Sequence, residues 1–477
     1  MSERNVPPQD LGIAEADWQQ TPASVRAVVR ALHQRLSKLE EQLQLNSDNS
    51  SQPPASDKPR HQREKKGKLP SGKQRGGQPG HKGQTRPLVP PEGVSEYRVY
   101  KPEICDHCGE ALSGDDPRPV RWQVSDLPPI EPVVIEHQVH ALRCRCCGQS
   151  SRGQLSPEVA RSQFGPGVTA VVGLLIGQER LSKRQVQRVL QTVFGIKMAV
   201  GSVVARQQEI SASLAEVYET VQAHVQQAAN RNIDETPWRE GWQRAWLWSV
   251  ATPTATLFRV AAKRDAAVAQ ELLGASTDNV STSDRFTAYN WLDDERHQTC
   301  WAHLLRTWRR FQLRDGPSVQ VGGMLEIHTD YLLHRWRELQ RAHLSRESFL
   351  AEVPQHQRDI HHWLEVGARL DHKTTAATCR RLLRHQDMLW TFTRFAGVTP
   401  THNAVERALR HGVIWRKLCY GTASERGSRF VERLLTVIAT SRQQGHDVLD
   451  FLSAALHAYR HGEVGPLLLP DIPLPTT

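Results

Sequence analysis

The amino-acid sequence predicts a multidomain α+β protein. Its 477 residues are enough for about three folded units at roughly 150 residues each. The spacing of apolar residues changes from helical to alternating near Asn232 and returns to helical at Ala302, which places a sheet between helical segments. Five of the eight cysteines fall within the 43 residues from Cys105 to Cys147, which indicates a further small unit.

The composition argues against secreted and membrane proteins. Hydrophobic residues make up 38% of the chain and charged residues 23%, close to globular values. The mean hydropathy of −0.54 indicates that part of the chain is polar and unpacked. The longest apolar run, Val168 to Ile176, is far shorter than the ~20 residues of a membrane helix, and no basic-then-apolar leader opens the sequence. We therefore expect a protein of a bacterial-type cytoplasm.

The first predicted element is a short coiled coil over residues 21–46. Its apolar residues alternate in spacings of four and three, as the seam between two paired helices requires. They are Val25, Val29, Leu32, Leu36, Leu39 and Leu43. Thr21-Pro22 is a plausible start for the helix, and the polar segment 46–51 a stop. The alternative is a single amphipathic helix packed on its own domain. Self-association is favoured because the segments on both sides are polar and offer little apolar surface to pack on.

The second element is a basic, flexible arm over residues 47–96. Between Lys58 and Arg86 the chain has ten Lys and Arg residues and one acid, so nearly all of the net charge of +10 lies there. This segment has almost no apolar side chains with which to pack a core. Such a cationic arm gains free energy by displacing counterions from a polyanion, which favours nucleic-acid binding over a simple solvated linker. The candidate contacts are Arg63, Lys65, Lys66, Lys68, Lys73, Arg75 and Lys82.

The third element, over residues 97–155, contains two Cys-x-x-Cys-Gly motifs. The first pair is Cys105 and Cys108, and the second is Cys144 and Cys147. A gap of two residues lets both thiolates reach one ion, and four sulfurs close a tetrahedral structural zinc site. Disulfides and an iron–sulfur cluster are the alternatives, and His107 and Cys146 are spare candidate ligands. The remaining cysteines, at 300, 379 and 419, are interpreted as ordinary buried thiols.

A helical segment is predicted over residues 156–228. Its apolar stretches are 168–176, 181–194 and 201–214, with breaks at Gly177 and Gly195. This arrangement is similar to a helix-turn-helix, although any small helical bundle has the same pattern.

Short strands and helices alternate from Asn232 onward. The predicted strands are 232–236, 244–251, 255–262, 279–283 and 297–300, and the predicted helices are 265–273 and a short one from Phe286. The order βββαβαβ, an antiparallel meander that leads into parallel strands, is that of ribonuclease-H-like folds, which include the retroviral integrases. A helical insertion then covers about 302–395, so that this predicted core extends over 229–440. A C-terminal helix and a Pro-rich tail occupy 441–477, and residues 1–20 are expected to be disordered.

Acidic residues lie at the ends of two of these strands. Asp234 and Asp284 follow strands that are neighbours in a ribonuclease-H-like sheet, and Glu406 would come from a later helix. Clustered carboxylates are suitable ligands for Mg²⁺ (or Mn²⁺). Two such ions can activate a water or a 3′-hydroxyl and stabilise the leaving oxygen of a phosphodiester. Each acid also has an ordinary structural explanation as a turn residue or a helix-surface ion pair, and Glu235 and Asp278 are close alternatives.

Several of these segments, in this order, resemble the insertion-sequence-66-type transposases, bacterial enzymes of the DDE class. The quoted segments are the coiled coil, Gly76 to Gly83, both cysteine motifs, Asp234 to Pro237, Cys300 to His303, Asn403 to Arg410 and Gly421 to Gly427. The resemblance implies that Asp234, Asp284 and Glu406 are a metal-binding catalytic triad. It implies an Mg²⁺-dependent transposase that cuts DNA at the terminal repeats of its element and joins the ends to target DNA by direct phosphoryl transfer.

The same resemblance implies double-stranded DNA as partner, self-association, accessory proteins of the element and association with the nucleoid. Arg416 and Lys417 are interpreted as phosphate contacts. His303 is interpreted as a structural histidine with its hydrogen bonds satisfied, with metal ligation as the less favoured alternative. The chain differs from the family pattern around Asp284-Arg285-Phe286, Leu304-Leu305-Arg306 and Thr401-His402-Asn403. A DNA-binding relic or regulator that no longer cuts is the alternative function, and a nuclease on the same fold is a third.

Overall fold

The computed structural model describes residues 12–46, 48–50, 86–274 and 278–469. The chain divides into two compact units, one of residues 59–133 and one of residues 1–58 with 134–477. Within the described ranges, no helix is both long enough and apolar enough to span a membrane.

The smaller unit has little regular structure in its described part. A single 3₁₀ turn covers Pro91–Gly93, and an isolated bridge joins Ile104 to Ala111 around the first cysteine motif. The backbone N–H of Val89 donates to the side chain of Gln123 (2.7 Å), whose amide donates back to the Val89 carbonyl (2.9 Å). Polar bonds of this kind, rather than an apolar core, hold the two ends of the described segment together.

Sixteen α-helices lie in the described part of the larger unit. They are α1 (Glu15–Gln20), α2 (Ala23–Leu43), α3 (Pro157–Ala160), α4 (Pro166–Gly177), α5 (Lys183–Phe194), α6 (Val200–Ser213), α7 (Ala215–Gln227), α8 (Ala266–Leu273), α9 (Trp301–Phe311), α10 (Pro317–Gln340), α11 (Arg346–Ala368), α12 (Lys373–Arg384), α13 (Asp387–Arg394), α14 (Asn403–Cys419), α15 (Glu425–Gln444) and α16 (Val448–His461).

The strands form a two-stranded and a five-stranded sheet. The first pairs β1 (Ala141–Arg143) with β2 (Ser150–Arg152). The second contains β3 (Asn230–Glu240), β4 (Gln243–Ala251), β5 (Thr256–Ala261), β6 (Val280–Ser283) and β7 (His297–Thr299), in the spatial order β5-β4-β3-β6-β7. The pairs β3–β4 and β4–β5 are antiparallel, whereas β3–β6 and β6–β7 are parallel.

The strands predicted from the sequence are confirmed in number and order. Strand β3 is longer than predicted because it continues into a hairpin with β4 that turns at Gly241, where φ is +58°. The helix predicted from Phe286 is wrong: only a single 3₁₀ turn, Thr287–Tyr289, forms there. The side chain of Asp284 binds the backbone N–H of Phe286 (2.8 Å), so the chain turns locally at this point.

One hydrophobic core joins this sheet to the helices before and after it. Buried residues of α4 to α7 and of α14 to α16 pack with those of β3, β4 and β5 in the same cluster. Gly195, in the left-handed region at φ +66°, ends α5, whose start is closed by a capping box at Ser182. The segment that the sequence shows as a separate helical block therefore shares its core with the sheet.

Helix α15 covers the outer edge of the sheet through three side chains spaced one turn apart. The backbone N–H groups of Thr256, Phe258 and Val260 on β5 are the donors. Their acceptors are Thr440 (3.2 Å), Thr436 (3.0 Å) and Glu432 (2.6 Å), respectively. These bonds satisfy every second N–H of β5, which protects an edge that is otherwise open to pairing with another strand.

The insertion between β7 and α14 has a core of its own. Helices α9 to α13 bury an aromatic-rich cluster that includes Trp301, Trp308, Phe349 and Phe392. The helical insertion predicted over about 302–395 is therefore confirmed as helical. Its first backbone N–H, that of Trp301, donates to the carbonyl of Pro400 (2.9 Å), so the two ends of the insertion meet where they leave the sheet.

Helix α2 confirms the helix predicted in the N-terminal segment. The seam residues Val25, Leu32, Leu36, Leu39 and Leu43 are exposed in the single chain. The helix contacts the insertion through polar groups instead, since Glu41 pairs with Arg310 (2.7 Å) and Arg314 (3.6 Å). Apart from the half-buried Val29, the seam is therefore left open by the residues that the structure describes.

Candidate catalytic and metal-binding sites

Two of the predicted acids come from neighbouring parallel strands. Asn232 on β3 pairs with Thr282 on β6, and Asp234 and Asp284 each follow that pair by two residues. Equal offsets along parallel strands bring the two residues to the same edge of the sheet. Asp284 contributes one carboxylate oxygen to the turn at Phe286 and is half-buried.

The third predicted acid comes from the first turn of α14. This helix packs on β3 and β4 at Gly412, where even a methyl group would lie 2.2 Å from Leu247. The close approach brings the start of α14 to the sheet. An oxygen of Glu406 lies 3.6 Å from Nδ1 of His402, 3.7 Å from Nδ1 of His303 and 3.6 Å from the guanidinium of Arg306.

The structure thereby brings Asp234, His402 and Glu406 into one group. One ligand atom from each lies within 4.8 Å of the others, although 172 positions separate the two acids in the chain. Among the described residues, Asp284 does not belong to a group of three at that distance. It is nevertheless close enough for its charge to raise the pKa of Asp234.

Several charges meet in this group and shift one another's pKa values. The pKa of Asp234 is raised to about 7, mainly by burial and also by the nearby carboxylates of Glu235 and Asp284, while His402 opposes the shift. Burial disfavours a charge on His402, but the Cys300 thiol with the Asp234 and Glu406 carboxylates outweighs it and raises the pKa of His402 to about 10. A carboxylate cluster of this kind must be compensated by a proton, a cationic side chain or a metal ion.

The alternative acids occupy other places. Glu235 points to the opposite face of β3 from Asp234, as successive residues of a strand do. There it accepts from Arg264 (2.7 Å) and from the hydroxyl of Tyr289, so it serves the packing of the sheet. Asp278 is exposed, before β6 begins.

Two arginines at positions that differ from the family pattern contact the site. Arg306 donates to Nε2 of His303 (2.9 Å) and lies near Glu406, so a basic residue does reach the third acid. Arg285 is half-buried, desolvation lowers its pKa to about 10, and it donates to Thr307 on α9 (2.6 Å). Both therefore connect the acids to the insertion.

Three residues near the acids were not assigned to the site from the sequence. Cys300, His303 and His402 each offer a ligand atom within 4.8 Å of the other two. Within the described part of the chain, both ring nitrogens of His402 lack a hydrogen-bond partner. Nδ1 of His303 lacks one as well. The interpretation of His303 as a satisfied structural histidine is therefore wrong. The available signal was Cys-Trp-Ala-His, which has the spacing of a metal-binding pair.

The two cysteine motifs have the same local structure, each within its own unit. The N–H of Cys105 donates to the carbonyl of Glu110 (2.8 Å), and Gly109 donates back to Cys105 (2.9 Å). The corresponding bonds of Cys144, with Gln149 and Gly148, are 2.7 and 3.0 Å. Backbone N–H groups of the following residues lower the pKa of the thiols of both Cys105 and Cys144, which favours the thiolate that a zinc ion needs.

Both glycines of these motifs have positive φ, +74° at Gly109 and +73° at Gly148. This conformation turns the chain back over the sulfurs and is one that side chains larger than glycine rarely adopt. The local geometry of each motif is therefore that of a metal-binding knuckle.

The other cysteines and the candidate DNA contacts give mixed results. Cys300 and Cys379 are buried as predicted, but Cys419 is exposed at the end of α14, so that prediction is wrong for Cys419. Arg416 donates to the backbone carbonyl of Pro237 and is half-buried, whereas Lys417 is exposed. The predicted contacts in the basic arm lie outside the described residues.

Comparison with known proteins agrees with these features. Residues 161–429, more than half of the chain and including all three acids, match the model of the Transposase IS66 family. Residues 102–148, with both cysteine motifs, match the zinc-finger binding domain of transposase IS66. Residues 5–87 match a family of unknown function.

These matches place the chain in the class of transposase-related proteins with a zinc-finger domain. The chain belongs to the Transposase IS66 family. One similar protein is "Uncharacterized protein y4qI" of Sinorhizobium fredii (strain NBRC 101917 / NGR234), 27% identical over 252 residues that cover 46% of this chain and 44% of that protein. The chain thus matches less than half the length of this curated relative.

Proposed function

We propose that this protein is a metal-dependent DNA transposase whose catalytic core has a ribonuclease-H-like fold. The observation that carries the proposal is the meeting of Asp234 and Glu406 beside Asp284, just beyond the last parallel pair of β3 and β6 in a mixed sheet of order β5-β4-β3-β6-β7. The order of antiparallel and parallel strands is the one expected for that fold.

The donors at this site fit a hard divalent cation. Asp234, Asp284 and Glu406 offer carboxylate oxygens, the ligands that Mg²⁺ and Mn²⁺ prefer. When bound, such ions would activate the oxygen that attacks a phosphodiester and stabilise the oxygen that leaves it. Burial is the largest cause of the raised pKa of Asp234, and a cation bound beside its carboxylate would lower that pKa.

The remaining residues of the site position the acids. Arg306 and His402 each lie 3.6 Å from the same carboxylate oxygen of Glu406 and position it in this proposal. Tyr289 and Arg264 anchor Glu235, which fixes the register and orientation of β3 next to Asp234. The acids are thus held by elements of the sheet and by α14 rather than by loose loops.

The proposed chemistry consists of two in-line displacements at phosphorus. In the first, a water oxygen bonds to phosphorus at the element end and the bond to the 3′-oxygen breaks, which frees a 3′-hydroxyl. In the second, that hydroxyl bonds to a phosphorus of the target strand and displaces another 3′-oxygen. The first displacement hydrolyses one phosphodiester. The second breaks one phosphodiester and forms one, so joining needs no external energy source.

The other parts of the chain are assigned to holding DNA and to assembly. Cys105, Cys108, Cys144 and Cys147 form a structural zinc site in this proposal, supported by the zinc-finger family match. The basic arm and Lys417 contact phosphates. Arg416, which binds a β3 carbonyl, is better assigned to positioning α14 against the hairpin.

Helix α2 is proposed to pair with a second copy of the chain. The side of α2 opposite the seam contacts the insertion through Glu41. Most of the seam is exposed to solvent, and Leu43 has 66% of its surface exposed. Apolar residues at alternating spacings of four and three fit the same seam of another helix.

A cleavage and strand-transfer assay on DNA with the ends of the element tests the function. We expect products with Mg²⁺ and none with EDTA, and loss of products in Asp234→Asn, Asp284→Asn and Glu406→Gln with DNA binding retained. Asp278→Asn is the matched control, because this exposed acid lies close to Asp284 in the chain but outside the site.

Different outcomes point to different errors. Binding without products under all metals, with accessory proteins added, would identify a DNA-binding relic. Cleavage without joining would identify a nuclease. Full activity in one of the three variants would show that the acid changed there is not catalytic.

A further inference from the structure

We propose that Cys300, His303 and His402 form a second transition-metal site, which holds together the two ends of the helical insertion. The three residues contribute ligand atoms that lie within 4.8 Å of one another. This site is distinct from the two cysteine knuckles, and it does not depend on the DNA chemistry proposed above.

The position of the three residues in the fold makes them a preorganised set. Cys300 precedes the first residue of α9, and His303 lies in the first turn of that helix. A gap of two residues at a helix start places both side chains on the same side. His402 directly precedes α14, and the bond from Trp301 to the Pro400 carbonyl (2.9 Å) holds this loop against α9.

The hydrogen bonding of the cluster is incomplete without a ligand. Cys300 and His402 are both fully buried. Buried polar atoms are almost always paired, yet, in the residues described, both nitrogens of His402 and Nδ1 of His303 lack a partner. The rings of His303 and His402 meet edge to face with centroids 4.8 Å apart, and one nitrogen of each lies within 4.8 Å of the other and of the Cys300 sulfur.

The chemistry of the donors specifies the kind of ion. One thiolate and two imidazoles suit zinc or a similar transition metal, and are poor ligands for Mg²⁺. Three protein donors leave one position of a tetrahedron for water. Nδ1 of His402 faces Glu406 at 3.6 Å, so this ring binds the ion through its other nitrogen and orients the carboxylate through the first.

Binding of the ion requires one local adjustment. Arg306 donates to Nε2 of His303, and ligation through Nδ1 moves the ring proton to Nε2. Arg306 then turns to the carboxylate of Glu406, which is already 3.6 Å from its guanidinium. The ion therefore strengthens the arrangement around the third acid instead of competing with it, and Cys300, His303 and His402 act as positioning residues.

The test is the number of zinc ions bound per chain of the full-length protein, measured after dialysis by elemental mass spectrometry. We expect about two zinc ions per chain in the wild type and about one in Cys300→Ser and in the knuckle variant Cys105→Ser/Cys108→Ser. Cys379→Ser is the matched control, because Cys379 is an equally buried thiol that belongs to no such group among the described residues.

X-ray absorption on the knuckle variant decides the proposal without altering the buried cluster. Zinc bound by one sulfur and two nitrogens in that variant supports it. Zinc lost completely from the knuckle variant and unchanged in Cys300→Ser would overturn it. If the knuckles themselves bind no zinc, the wild type has about one ion and loses it only in Cys300→Ser, so the two zinc proposals fail separately.

Discussion

The contact between α9 and α10 gives a sharp test of how the insertion supports the site. Gly322 lies where α10 crosses α9, and a methyl group there would be 2.6 Å from the carbonyl oxygen of Trp308 and 2.8 Å from Cβ of Phe311. Ordinary contact begins at about 3.4 Å, so Gly322→Ala forces the helices apart by about 0.8 Å. The neighbouring Gly323 faces open space, with nothing within 4 Å.

The two glycines therefore form a matched pair for measurement. Each substitution by alanine gains about 0.5–1 kcal/mol of helix stability. Only Gly322→Ala also pays for overpacking, which costs about 1–3 kcal/mol in a close-packed core. We expect Gly323→Ala to be slightly more stable than the wild type, and Gly322→Ala to lie about 1–3 kcal/mol below Gly323→Ala.

Denaturant unfolding followed by tryptophan fluorescence measures this difference, since Trp308 is at the contact. DNA cleavage should fall in Gly322→Ala alone, because α9 carries His303 and Arg306, which contact Glu406. A displacement of about 1 Å near an active site can cost roughly a hundredfold in rate. Equal stability of the two variants would refute the packing argument, and equal cleavage would refute the connection to the site.

Three further predictions concern other parts of the fold. Burial raises the pKa of Glu432 to about 7 from its ordinary 4.5, so the folded state keeps a proton that the unfolded state loses. Stability should therefore fall by at most about 3 kcal/mol as the pH rises from 4.5 to 7, and thermal unfolding of Glu432→Gln should lack this decrease. Thr436→Val removes the acceptor of the Phe258 N–H at nearly constant volume and should cost about 1–3 kcal/mol in the same denaturant assay; no loss would show that this edge bond is dispensable. Leu36→Asp places a charge in the exposed seam of α2 and should shift the protein to a smaller species in sedimentation while leaving its unfolding unchanged; an unaltered mass would contradict pairing through α2.

Local patterns in the sequence predicted much of the sheet and the nature of the site. A change of apolar period near Asn232, turn signals between short apolar runs, and alternation at Trp246 to Val250 located all five strands of the large sheet, because these signals depend on residues close together in the chain. The failed helix after Phe286 shows the limit of such patterns: the side chain of Asp284 binds the chain there and turns it. Cys419 was misjudged because its exposure depends on what lies beyond the end of α14.

The sequence by itself determined the order of the strands along the chain, the placement of Asp284 at the end of β6 and the two cysteine motifs, since each depends on residues close together in the chain. The expected strand-end position was wrong for Asp234, which lies inside β3 because the hairpin with β4 extends that strand to Glu240. Only the tertiary structure decided that His402, Cys300 and His303 converge beside Glu406. The five-helix insertion separates His402 from Cys300 and His303 by about a hundred positions. Its own core brings its two ends back together. Periodicity shows which face of an element is buried, but packing between distant elements selects which buried side chains meet.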